Sequence, residues 1–91
     1  MEWRASHILV KNKGLADDLY DRLKKGGKFE QLAKQYSTCP SKSKGGDLGW
    51  FGVGQMVRPF ENAVQKMARN RASKPVKTQF GYHIIKKTGQ R

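Results

Sequence analysis

The stretch Trp3 to Val10, WRASHILV, constrains this chain more than any other. Ile8, Leu9 and Val10 are strong strand formers. Alternation places Trp3, Ala5, His7 and Leu9 on one side and Arg4, Ser6, Ile8 and Val10 on the other. Neither side is polar throughout, so both need at least half covering, which is what an interior strand requires. A chain of 91 residues can supply that cover from one compact core only. The expected organisation is a single domain spanning residues 1–91.

Helical spacing takes over after the strand. In GLADDLYDRLKKGG, Leu15, Leu19 and Leu23 recur four apart with Ala16 and Tyr20 beside them; acids come early, Lys24 and Lys25 late, and Gly26-Gly27 stops the run. KFEQLAKQYS repeats the pattern with Phe29, Leu32, Ala33 and Tyr36. Two amphipathic helices packed together on the sheet are predicted. Ser37 to Gly54, with five glycines and four Ser/Thr, reads as a long loop ending in a short strand around Trp50. A third helix begins near Pro59 and runs through Phe60, Ala63, Val64 and Met67, with Asn70 suited to the left-handed turn that ends it. An extended piece at Pro75-Val76-Lys77, a turn near Gly81 and a last strand from Tyr82 to Lys87 complete an α+β order.

Composition narrows the function classes. The hydrophobic fraction is only 36%, but two Trp, four Phe and three Tyr give a few large side chains to bury, which argues against disorder. The one cysteine, Cys39, excludes an internal disulfide and fits a reducing compartment. No signal core comes after Met1, and no apolar run approaches the roughly 18 residues of a membrane span, so a soluble, cytoplasmic monomer is expected. The net charge of +12 attracts nucleic acid, anionic lipid or acidic chains. Its residues are dispersed, from Lys11/Lys13 to Lys86/Lys87, as on a solvated face. Without an interleaved aromatic and basic pattern, only weak, salt-sensitive contact with nucleic acid or an anionic membrane is expected. GVGQMV and SKSKGGDLG match neither the dinucleotide nor the P-loop pattern.

Three strings, ASHILVK, LAKQYSTCPSKSKGGDLGWFGVGQMVRPFENAV and PVKTQFGYHIIKK, closely resemble parvulin-type peptidyl-prolyl cis/trans isomerases, in order and over nearly the whole chain. The resemblance implies a four-stranded antiparallel sheet surrounded by about four helices, the FKBP-like superfold, with the first and last strands adjacent at its centre. His7-Ile8-Leu9 and His83-Ile84-Ile85 would then be two copies of one requirement, with the imidazoles facing each other across the ladder at roughly 5 Å. The resemblance assigns His7, Cys39, Thr78 and His83 to the polar floor of the active site. It assigns Leu48, Met56 and Phe60 to the pocket for the proline ring, with Gln55 and Phe80 at its border. A thioether and an aromatic ring make an adaptable apolar wall, suited to a ring with no donor to satisfy. Ordinary core filling is the competing account of Met56 and Phe60.

Proline-containing peptides and unfolded segments are the implied partners, and protein folding the implied role. Turning an X-Pro bond breaks amide resonance, a barrier of roughly 18 to 20 kcal/mol. An acceleration of about 10⁴ to 10⁶ needs only about 5.5 to 8 kcal/mol, which non-covalent binding of the twisted amide can supply. The phosphoprotein-directed branch of the family carries an arginine-rich insertion after the first strand; here that stretch is VKNKGL, so phosphate dependence is not expected. One departure stands out: where the family usually has Leu, Gly-Glu and a β-branched residue, this chain has Met67, Asn70-Arg71 and Ala72. Arg71 reverses a charge and Ala72 leaves space.

Other chemistries fit less well. A thiol hydrolase would pair Cys39 with a histidine base, but Cys39 precedes Pro40 in a loop rather than opening a helix. A zinc site from His7, His83 and Cys39 would lack local spacing, so no metal or cofactor is expected. A noncatalytic chaperone binding extended proline-containing segments would use the same pocket.

Overall fold

The computed structural model describes every residue from Met1 to Arg91. Strand β1 (Glu2–Val10) pairs along nearly its whole length with β4 (Gly81–Gln90), and the two form the centre of one antiparallel sheet ordered β2-β1-β4-β3. The edges are β2 (Asp47–Gly52) and the short β3 (Val76–Thr78). β4 extends past the expected Lys87 because its last residues pair with the start of β1, and Glu2 and Arg91 exchange backbone hydrogen bonds beyond the ladder.

The alternation in WRASHILV becomes two apolar clusters on opposite faces of the sheet. Ile8, Val10 and Ile84 meet α1 (Lys13–Lys24) and α2 (Phe29–Tyr36) through Ala16, Leu19, Phe29 and Ala33. Trp3, Ala5 and Ile85 meet Phe51 and, from α3 (Arg58–Lys66), Phe60 and Val64. Burying a Leu, Ile or Phe side chain contributes about 1.5 to 3 kcal/mol, so the two faces hold the sheet between helices. His7 and His83 lie on the α3 face, at the end away from Trp3.

Three local expectations need correction. The acids of α1 do not sit in its first turn: the helix starts at Lys13, with Asn12 Oδ1 accepting from Leu15 N at 3.0 Å. Asp17, Asp18 and Asp21 instead pair with Lys13, Arg22 and Lys25 one turn away. The helix count is three α-helices plus a 3₁₀ helix at Pro40–Lys44, rather than about four full helices. Pro40 opens that 3₁₀ segment and Gly45, at φ 68°, closes it within five residues. α3 begins at Arg58 but stops at Lys66 with Met67 already extended, so Asn70, left-handed at φ 66°, turns the chain beyond the helix rather than ending it.

Candidate active site

The site is built where β2 stops. Its pairing with β1 ends at Ser6 opposite Asp47, so the backbone groups of His7 and Leu9 on that side need other partners. Gly46 O accepts from His7 N at 2.9 Å, Ser37 Oγ accepts from Leu9 N at 3.0 Å, and Thr38 N donates to Leu9 O at 2.8 Å. These bonds hold Thr38, Cys39 and Pro40 beside the strand that carries His7. Gly46, at φ 92°, lies so close that a Cβ there would run into the His7 carbonyl oxygen. On the other flank, Glu61 of α3 accepts from Gly54 N at 2.7 Å, fixing the turn that presents Gln55 and Met56.

Between these flanks lies a cavity of about 470 Å³. His7, Cys39, Leu48, Gln55, Met56, Phe60, Phe80 and His83 all line it, and Thr78 sits behind His83. All nine residues singled out from the sequence therefore converge. Leu9, Thr38, Pro40 and Val57 also line the cavity and were not anticipated. The signals for them are adjacency and period: Leu9 shares the strand face of His7, Thr38 and Pro40 flank Cys39, and Val57 comes directly after Met56.

The polar floor is a chain of buried groups. His7 Nδ1 and His83 Nδ1 are 2.9 Å apart, and His83 Nε2 is 2.6 Å from Thr78 Oγ1, which in turn accepts from Phe80 N at 3.1 Å. The imidazoles are not direct cross-strand partners as expected. His7 stands opposite Ile85 and His83 opposite Leu9, so they form a diagonal pair with ring centroids 5.0 Å apart. Diagonal neighbours lie about 7 to 8 Å apart at the backbone, a gap that aromatic side chains span.

With the buried Thr78 hydroxyl donating to His83 Nε2, the acceptor beside it, the order of the remaining protons follows. The His83 proton then resides on Nδ1 and is donated to His7 Nδ1, which leaves the His7 proton on Nε2. That buried Nε2 has no protein partner. Burial lowers both imidazole pKa values to about 4, with repulsion from His83 adding to the effect on His7, so both rings are neutral near pH 7.

The apolar wall serves both core and cavity. Phe60 is 2% exposed, touches Phe51 in the core and turns its edge to both histidines at 5.7 and 5.4 Å. Core filling and cavity lining are thus one role for this ring. Met56 is only half-buried and packs at the margin of the same cluster. Gln55 Oε1 accepts from Gly52 N, which leaves only its NH₂ free at the border, and Phe80 is half exposed. The Cys39 thiol is partly exposed; its backbone N donates to Ser37 Oγ at 3.4 Å, and its sulfur bonds to neither histidine. Both Nδ1 atoms are committed to each other, and no three His, Cys, Asp or Glu side chains group as metal ligands.

An apolar slot over a buried His-His-Thr chain, set at the centre of a four-stranded antiparallel sheet, defines a parvulin-type domain. Residues 2–91 match the family described as the PPIC-type PPIase domain, and the chain belongs to that family. It is 60% identical over 89 residues to the foldase protein PrsA of Bacillus subtilis, covering 97% of this chain and 30% of that protein. The crystal structure of PrsA from Bacillus subtilis superposes with a TM-score of 0.94 at 58% identity, covering 99% of this chain and 36% of that one. The solution structure of NmPin, the parvulin of Nitrosopumilus maritimus, superposes with a TM-score of 0.85 at 45% identity, covering 97% and 96% of the two chains. The chain thus spans about a third of the PrsA foldases and nearly all of the small parvulin.

Proposed function

We propose that this chain turns X-Pro peptide bonds between cis and trans in flexible or unfolded protein segments, without a covalent intermediate, and thereby assists folding. The observation that carries this reading is the 470 Å³ apolar cavity set directly against a neutral, buried hydrogen-bond chain. Met56, Phe60 and Leu48 hold the prolyl ring, and Gln55 and Phe80 border it. The peptide on the other side of the bond rotates while the ring stays fixed.

As the amide twists, nitrogen loses conjugation and the carbonyl changes its direction. The polar floor of His7, His83 and Thr78 stabilises that twisted geometry better than the planar one. His83 and Thr78 act as positioning residues, because their hydrogen bonds hold the His7 ring in place. Cys39 tunes the polarity of the floor and does not attack. A nucleophilic thiol needs a base within hydrogen-bond reach, and neither imidazole supplies one.

No arginine cluster adjoins the cavity, which supports peptides without phosphate as substrates. Exchange NMR without a coupled protease, on X-Pro peptides in which X runs from Glu through phosphoserine, Ala, Leu and Arg, tests the reading. Exchange cross-peaks are expected for unphosphorylated peptides. Binding without accelerated exchange would instead make the domain a noncatalytic peptide holder.

A further inference from the structure

On the sheet face opposite the histidines, two adjoining hollows of about 340 and 170 Å³ share Leu23 and Ala72. Together they form a groove between the end of α1 and the segment Asn70-Arg71-Ala72, the segment where this chain departs from its family's pattern. Its floor is apolar: Leu23, Tyr20 and Ala72 pack as half-buried residues on the core beneath. Its walls carry four cations, Lys24, Lys28, Arg71 and Lys86, against one carboxylate, Glu30. Only Lys86 has a carboxylate partner, Glu30 at a loose 3.8 Å, and none of the other three enters an ion pair.

We infer that this groove docks an acidic peptide segment of a partner or client protein, with one aliphatic side chain seated over Leu23 and Ala72 and flanking carboxylates paired to Lys24, Lys28, Arg71 and Lys86. Charge complementarity identifies the occupant, since three unpaired cations line a concave slot in a chain of net charge +12. Aromatic stacking of nucleic-acid bases is disfavoured because the ring faces nearest the groove are already covered. Lys24 Nζ lies 5.5 Å from the Tyr20 centroid and Lys86 Nζ 5.9 Å from that of Phe29. A membrane is disfavoured because the exposed large apolar side chains, Met1, Trp50, Val53 and Phe80, all lie elsewhere. Ala72 is decisive on steric grounds: a larger side chain there would fill the slot that both hollows share.

The test uses a fluorescein-labelled, proline-free peptide, Glu-Glu-Leu-Glu-Glu-amide, which has no ring for the isomerase cavity. Fluorescence anisotropy is expected to show saturable binding that weakens at about 0.5 M salt, where charge interactions are screened within a few Å. Arg71→Glu combined with Lys28→Glu, and separately Ala72→Leu, should each weaken binding about tenfold or more. Isomerase turnover of an Ala-Pro peptide and the melting temperature of the charge variant should stay at the wild-type level, so failure here is distinct from failure of the isomerase reading. Equal affinity for a Leu→Ser version of the peptide would overturn the proposal, as would unchanged binding by both variants. Tighter binding of a dT oligonucleotide or of phosphatidylglycerol vesicles through these same residues would also overturn it.

Discussion

His7 and His83 touch through their Nδ1 atoms at 2.9 Å although neither is the other's partner in the β1/β4 register. The contact can hold one proton. Two imidazolium rings would set N–H against N–H, and burial already disfavours charge on either ring.

This predicts an acid limit. Both folded-state pKa values, about 4, lie below the ordinary value of 6.5, so between these values the unfolded chain binds more protons than the folded one. The stability from the neutral pair is fully present above pH 6.5 and is lost as pH falls toward 4. Thermal melts across that window should show a falling Tm, with activity falling alongside. A flat profile between pH 7 and 4 would contradict the neutral, buried pair.

The two walls of the cavity should separate activity from stability. Phe60→Ala empties a fully buried site and should cost about 3 to 5 kcal/mol as well as most of the activity. Met56→Ala, at a half-buried position, should lower kcat/KM at least about tenfold with a smaller loss of stability. Cys39→Ser should retain activity within a fewfold range. Complete loss on removing the thiol would point to covalent chemistry.

Thr78 has a role that volume alone does not fill. Thr78→Val keeps the shape but leaves His83 Nε2 and Phe80 N without a partner, at a cost of about 1 to 3 kcal/mol each. It also removes the donor that selects the tautomer. Imidazole ¹⁵N shifts should then report mixed protonation of His7 and a reduced kcat, with Thr78→Ser restoring both. A purely structural role would alter Tm without moving the ¹⁵N shifts.

Gly46→Ala tests how the loop is seated. The left-handed backbone costs an L-residue about 1 to 2 kcal/mol, and the added Cβ meets the His7 carbonyl, so the loop must lift from β1. Loss of Gly46 O as the acceptor for His7 N should appear as faster exchange of the His7 amide.

Much of this architecture was legible in residue order. The double-faced strand at Trp3–Val10, the spacing of Leu15, Leu19 and Leu23, and the period through Phe60, Ala63 and Val64 all report local alternation, and local alternation survives folding. The 3₁₀ turn at Pro40–Lys44 has no such period, because it exists to carry the chain from Cys39 to Gly46 against β1. The placing of the site residues came from likeness to a family. Their convergence on one cavity is a property of the sheet.

The sequence by itself determined which side chains seek burial and which elements they belong to, since the periods of strand and helix are written in consecutive residues. Only the tertiary structure decided that the histidines meet diagonally, that His7 Nε2 is left without a partner, and that Ala72 lies between two hollows on the far face. Those three outcomes depend on register and on contacts between segments up to 76 positions apart, and no local pattern encodes either.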